Sequence, residues 1–213
     1  MSERGKYIVI EGHDGTGKST QVNILRETLE TKGIESVKVE EPAGVPIADA
    51  IRTVVKDGTL ERDPTTELLL FTAARREINR QLIIPSLEDG TWVIAARNWV
   101  STMAYQGFGG DLQTGFIRKV TEQNTDKNYM NPDFMCILAL KNKAEQERRI
   151  AERGELATPD AFESRDDRFQ HEVEVGYETI AALYEVPTID ASGSIEEVTE
   201  AIWSHVHPLT EAA

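Results

Sequence analysis

Five short apolar runs punctuate the chain, and between them the apolar positions recur with helical spacing. Tyr7–Glu11 (YIVIE) is continuous and β-branched, the pattern of a buried strand. Ile34–Glu40 predicts a second strand, Thr91–Arg97 a third, Asp133–Leu140 a fourth and Val186–Ala191 a fifth. Helical spacing runs through Gln21, Val22, Leu25 and Leu29, then over Ile47–Val55, Thr65–Leu87, Lys143–Arg153, Phe162–Tyr184 and Ser194–His205. Pro85 is placed to bend or end the long third helix, and Gly154–Phe162 reads as a polar break. No repeat, low-complexity tract or linker interrupts the pattern, so one domain is expected over residues 1–213. Alternating strands and helices predict an α/β fold, a parallel sheet covered on both faces. Ligands of such sheets sit beyond the carboxyl ends of the strands, so the segments after each strand carry the candidate chemistry.

After the first strand comes Gly12-His-Asp-Gly-Thr-Gly17-Lys18-Ser19, a phosphate-loop pattern between a strand and a helix. Its glycines let backbone N–H groups converge on an anion, and the helix start adds its positive end. Gly12, Asp14, Gly15, Thr16, Gly17, Lys18, Ser19 and Thr20 are the candidate ATP-phosphate contacts. Lys18 is expected to reach the outer phosphates, and the Ser19 hydroxyl is offered to Mg²⁺. His13 faces either an acceptor or water. After the third strand, Arg97–Gly107 (RNWVSTMAYQG) is polar and aromatic. Arg97 is suited to a bidentate phosphate contact, and Ser101, Thr102, Tyr105 and Gln106 carry groups that read a base or sugar or else sit on a helix surface. Phe71 and Arg75, four apart, share one helix face. Spacing alone favours Phe71 in the core and Arg75 in solvent.

The net charge of −14 argues against a protein that grips nucleic acid by its backbone. It also requires any anion site to gather its cations locally. The single cysteine, Cys136, lies in an apolar run and reads as a reduced core residue. No run is long enough to span a membrane and the start MSERGK has no apolar targeting region, so the cytoplasm is expected. His171, His205 and His207 show no metal-ligand spacing.

Taken together, YIVIEGHDGTGKST, EPAG, LLLFTAARR, GTWVIAARNWVSTMAYQG, RGE and TIDASGSIEEV resemble the thymidylate kinase family nearly end to end. The resemblance implies a P-loop NTPase fold with a five-stranded parallel sheet between helical layers, commonly as a homodimer. It implies transfer of the γ-phosphoryl group of ATP to dTMP, with Mg²⁺ bound alongside ATP. By position, it implies that Phe71 stacks on thymine, that Arg75 hydrogen-bonds a base carbonyl, and that Ser101, Thr102, Tyr105 and Gln106 line the acceptor. Arg97 and Arg52 are implied to hold its phosphate, and Glu41 to lie nearby. Asp14 is implied to face the acceptor's sugar hydroxyl or the magnesium shell. A lid segment is expected at about residues 149–163.

Two positions depart from that pattern. Ala96-Arg97-Asn98 stands where the family usually has Asp-Arg-Tyr or Asp-Arg-His, so a carboxylate is missing; Glu11 and Asp14 are the nearest candidates to replace it. In the lid, Asp160-Ala161-Phe162-Glu163 lacks the usual arginine. Arg153 is the favoured replacement and Arg149 remains beside it, whereas Arg165 and Arg168 read as solvated charges. These departures keep two alternatives: a kinase for another pyrimidine monophosphate such as dUMP or a modified deoxyuridylate, and a weakened nucleotide-binding dimer.

Overall fold

β1 (Tyr7–Gly12) is buried along its whole length because strands pair with both of its edges. In the computed structural model, which describes residues 3–152 and 160–211, it is the centre of a five-stranded sheet in the order β2-β3-β1-β4-β5. The other strands are β2 (Ser36–Glu40), β3 (Trp92–Ala96), β4 (Phe134–Ala139) and β5 (Thr188–Asp190), and every pairing is parallel. The registers align Ile10 with Ala96, Glu40 with Ala96, and Gly12 with Leu138. All strands therefore end at one level, and the loops after them share one edge of the sheet.

Side chains alternate between the two faces of the sheet. Ile8, Ile10, Ile94, Cys136 and Leu138 point to α1 (Lys18–Thr31) and to the C-terminal helix Ile195–Glu211. Val9, Val39, Val93 and Ile137 point to the opposite core, built with α2 (Pro46–Lys56), α3 (Pro64–Ile78) and the helices that follow β3. This is the three-layer arrangement that the alternation predicts. Cys136 is buried, and burial pushes its thiol up to about 12, so it is an unreactive core residue.

The expected helix over 65–87 is real but not uniform. After α3 the chain widens into a π-helical turn at Asn79–Ile83 and resumes as α4 (Ile84–Glu88). Pro85 lies in the first turn of that resumed piece, where its missing N–H costs little. Three helical pieces after β3 were not anticipated: α5 (Trp99–Thr102), which runs into a π-helical stretch Met103–Gly109, then α6 (Thr114–Asn124) and α7 (Lys127–Met130). α6 and α7 bury few apolar positions (Ile117 and Tyr129), so periodicity is faint there, whereas the stretch from Trp99 to Gly107 is buried nearly all round and shows no one-sided stripe. After α8 (Lys143–Ala151), the expected helix from Phe162 begins later, as α9 (Asp167–Leu183). The cause is local. The Asp160 carboxylate accepts from the N–H groups of Phe162 and Glu163, making a turn, and Asp166 then caps a fresh helix at Phe169 N. The last helix, α10 (Ile195–Glu211), runs past the expected end at His205. Residues 153–159, which include Arg153 and most of the polar break, lie outside the described residues.

Candidate active site

The loop between β1 and α1 folds as its glycines demand. Gly15 and Gly17 adopt φ of 82° and 90°, a region that residues with a Cβ rarely occupy, and Gly17 stands at the start of α1. A Cβ on Gly12 would lie 2.4 Å from the Leu138 carbonyl oxygen. The loop is braced internally, since Thr16 Oγ1 and Lys18 Nζ both donate to the His13 carbonyl, at 2.9 and 2.6 Å. Ser19 and Thr20 are exposed on the first turn of α1. The loop floors an open cleft of about 760 Å³, whose walls include Glu40, Arg52, Lys56, Arg97, Arg148 and Arg149. The cations among them, with Lys18, offset the carboxylates of Asp14, Glu40, Glu41, Glu145 and Glu152 on the same walls.

A second, smaller cavity lies against the first. It is lined by Phe71, Arg75, Ser101, Thr102, Tyr105 and Gln106, the residues singled out from the sequence, together with Pro42, Asn98 and Phe162. Arg75 is 2% exposed, so the expectation from spacing that it is solvated is overturned, whereas Phe71 is half-buried and packs against the core while lining the cavity. Arg75 can be buried because Nε donates to Glu41 Oε2 at 3.0 Å and Nη2 to Asn98 O and Thr102 Oγ1. Tyr129 donates to the other Glu41 oxygen at 2.6 Å. Arg75 Nη1 has no protein partner. Gln106 donates to Glu67 at 3.0 Å.

The two cavities share Asp14, Glu41, Lys56 and Arg97. Arg97 sits at φ 72°, a strained backbone for a non-glycine residue, directly after β3. Its guanidinium donates to Asp14 at 2.6 Å, to Ser101 Oγ at 2.9 Å, to Tyr177 at 3.1 Å and to the Gly12 carbonyl at 3.2 Å. Tyr105 donates to the second Asp14 oxygen at 2.9 Å. Burial would raise the Asp14 carboxyl, but the charges of Arg97, Lys18 and Lys56 outweigh it and hold it well below the usual carboxylate range. Asp14 thus engages Arg97 and Tyr105, while Ser19 opens onto the cleft. His13, whose imidazole is lowered chiefly by burial, stacks on Tyr105 and contacts Gln146 at 2.5 Å.

Several expectations change. Glu11 is no candidate to replace the carboxylate missing at Ala96. It is fully buried and accepts from Asn98 N, Ser101 N and Oγ, and Tyr177, at 2.7 to 3.1 Å. It is the hub that ties β1 to the helix after β3. Arg165 is not a solvated charge: it pairs with the buried Glu67 and covers the rings of Phe162 and Phe169 at 5.2 and 4.5 Å. Arg168 is exposed, as expected. Arg149 lines the cleft and donates to the Ala191 carbonyl at 3.1 Å. Sequence reasoning missed Lys56, whose Nζ pairs with Asp160 at 2.5 Å across the cleft wall, and Tyr177, which arrives from distant α9. Neither carries a local motif.

The comparisons agree with this geometry. The family model described as Thymidylate kinase matches residues 10–202. The thymidylate kinase of Idiomarina loihiensis is 39% identical over 203 residues, covering 93% of this chain and 95% of its own. That of Bradyrhizobium sp. (strain ORS 278) is 35% identical over 206 residues, covering 95% and 90%. A crystal structure of thymidylate kinase from Ehrlichia chaffeensis superposes with a TM-score of 0.75 at 26% identity, over 96% of this chain and 99% of that one. With its phosphate loop, its paired cavities and these relatives, the chain belongs to the thymidylate kinase family.

Proposed function

We propose that the chain transfers the γ-phosphoryl group of ATP to dTMP, giving dTDP and ADP. The observation that carries this reading is the shared wall. A phosphate cleft and an aromatic, hydrogen-bonding cavity meet at Arg97, Lys56 and Asp14, where two anionic ends would face each other. ATP lies along Gly12–Thr20 in this reading, with Lys18 against its outer phosphates. The acceptor base stacks on Phe71 and meets Arg75, whose unpartnered Nη1 is suited to a carbonyl oxygen. Glu41 holds Arg75, while Thr102 and Gln106 complete the pocket around the base and sugar. Arg97, with Arg52 and Lys56, holds the acceptor phosphate, and Asp14 with Ser101 and Tyr105 fixes Arg97.

The chemistry asks little of a base, because the attacking oxygen already belongs to an ionised phosphate. That oxygen forms a bond to the γ-phosphorus as the bond to the bridging oxygen breaks and ADP leaves. The protein aligns the two phosphates and neutralises their charge. Mg²⁺ bound with ATP supplies further charge neutralisation. Among the described residues no cluster of three or more His, Cys, Asp or Glu could hold a metal, which fits a cation that arrives on phosphates and takes few protein ligands. Ser19 is positioned to be one of them. We assign the lid to about residues 149–163 of a single kinase domain, with Arg153 as its acting cation. We assign the protein to the cytoplasm, without membrane or nucleic-acid partners, the latter because a net charge of −14 does not suit a nucleic-acid backbone; no helix among the described residues is long and apolar enough to cross a membrane. It acts as a homodimer through α2, α3 and α6, which leave Ile47, Val54, Leu69 and Phe116 exposed.

A coupled ADP-release assay with a panel of monophosphates tests the reading. Turnover that depends on dTMP and exceeds that with dUMP is expected. Preference for another pyrimidine would reassign the acceptor, and nucleotide binding without turnover would leave a binding protein.

A further inference from the structure

Glu40 and Glu41 are adjacent on one strand end, and a strand sends neighbours to opposite faces. Glu41 turns to Arg75 in the acceptor cavity. Glu40 turns to the α1 face, where it lines the phosphate cleft beside Ser19 and Ala96. It stands in register with Ala96 on the neighbouring strand, so the two positions are about 4.8 Å apart in one row. Ala96 leaves that neighbouring position without a carboxylate. The other carboxylates near the cleft are committed: Asp14 to Arg97 and Tyr105, Glu41 to Arg75 and Tyr129, Glu11 to the segment after β3, Glu145 to Arg148 and Arg149, and Glu152 to Arg148. Glu40 instead has a partly exposed carboxylate, which pairs with Lys38 of its own strand at 3.2 Å. Partial burial would raise it, but hydrogen bonds from Ser19 and Lys38 and the charge of Arg52 hold it below the usual carboxylate range.

We propose that Glu40 is a positioning residue for the magnesium ion of the bound ATP, supplying a carboxylate from β2 in the row where Ala96 on β3 offers none. Its side chain is one methylene longer than aspartate and starts one strand further from the loop, and the methyl group of Ala96 leaves the intervening space open. Mg²⁺ keeps several waters when it rides on nucleotide phosphates. Glu40 accepts hydrogen bonds from that water shell, and Ser19 contributes its hydroxyl. This inference rests on the reading of the phosphate loop as the ATP site.

The test is calorimetric titration of a non-hydrolysable ATP analogue, once with Mg²⁺ and once with EDTA. The ratio of the two dissociation constants gives the gain due to the metal. Glu40→Gln is expected to cut that gain about tenfold or more while leaving affinity in EDTA undiminished. Adding Ala96→Asp to Glu40→Gln is expected to restore it, which a merely structural role for Glu40 would not allow. The single variant Ala96→Asp, independent of any folding defect at Glu40, is expected to raise the gain. An unchanged gain in Glu40→Gln, an equal loss in EDTA, or no effect of Ala96→Asp in either background overturns the proposal. Absence of any binding by the unaltered protein would overturn the phosphate-loop reading itself, a different outcome from binding indifferent to Glu40.

Discussion

Lys18 sits where a backbone loop and a helix start both favour an anion, and its Nζ already rests 2.6 Å from the His13 carbonyl inside that loop. Lys18→Ala should reduce turnover by about 10²–10³ with thermal unfolding unchanged, since the side chain closes a loop rather than a core. Retained activity in the ADP-release assay would remove the loop from the mechanism. Asp14 makes a prediction in pH. Its folded-state carboxyl lies well below its unfolded value of about 3.9. The stability it contributes is therefore complete above pH ~4 and is lost as pH falls through the folded value. Urea unfolding of the wild type and of Asp14→Asn should show a constant difference above that pH and a shrinking one below it. A difference that grows on acidification would reverse the assignment. At this scale the sequence was most legible where chemistry is local: the glycines, Lys18, Ser19 and Arg97 lie where their spacing put them. It was least legible for Arg75. A guanidinium on a helix face reads as solvated unless one knows that Glu41, 34 residues earlier, will meet it.

Among the elements, the strand ends determine the site and the segment after residue 160 closes it. Asp160 gathers the N–H groups of Phe162 and Glu163 and the ammonium of Lys56. This places the Phe162 ring 5.8 Å from Phe71 and 5.9 Å from Tyr105, over the acceptor cavity. Asp160→Ala should cost about 1–2 kcal/mol, as the loss of a capping carboxylate does, and should raise KM for dTMP while leaving KM for ATP near its original value. Phe71→Ala should produce the same split more strongly, roughly tenfold, through loss of the stacking plate. Equal effects on both substrates would show that neither residue belongs to the acceptor side. β1, β3 and β4 were legible as continuous apolar runs, while β2 (SVKVE) and β5 (TID), at the sheet's edges, showed only apolar–polar alternation in short segments. The helical stretch over 99–109 was not legible, because nearly every position from Trp99 to Gly107 is buried, the polar Thr102 and Gln106 among the apolar Trp99, Val100, Met103 and Ala104, so no one-sided apolar stripe marks it as a helix.

Over the whole molecule, a chain of net charge −14 sets Lys18, Arg52, Lys56, Arg97, Arg148 and Arg149 around one cleft, where they offset Asp14, Glu40, Glu41, Glu145 and Glu152 on the same walls. In a strongly anionic chain, a cleft whose wall charges nearly cancel is the ground on which two nucleotides can approach. Light scattering on the eluting protein should give twice the chain mass of 23.8 kDa, and Leu69→Glu on the exposed face of α3 should shift it toward the monomer. An unaltered mass in that variant would place the interface elsewhere. The central claim is that two nucleotides occupy adjoining cavities at once, with their phosphates facing each other across Arg97. Titrating dTMP calorimetrically into protein saturated with a non-hydrolysable ATP analogue and Mg²⁺ tests it most directly. The account predicts one dTMP bound per chain with affinity at least equal to that of the analogue-free protein. Displacement of the analogue by dTMP, the mark of a single shared site, would contradict it.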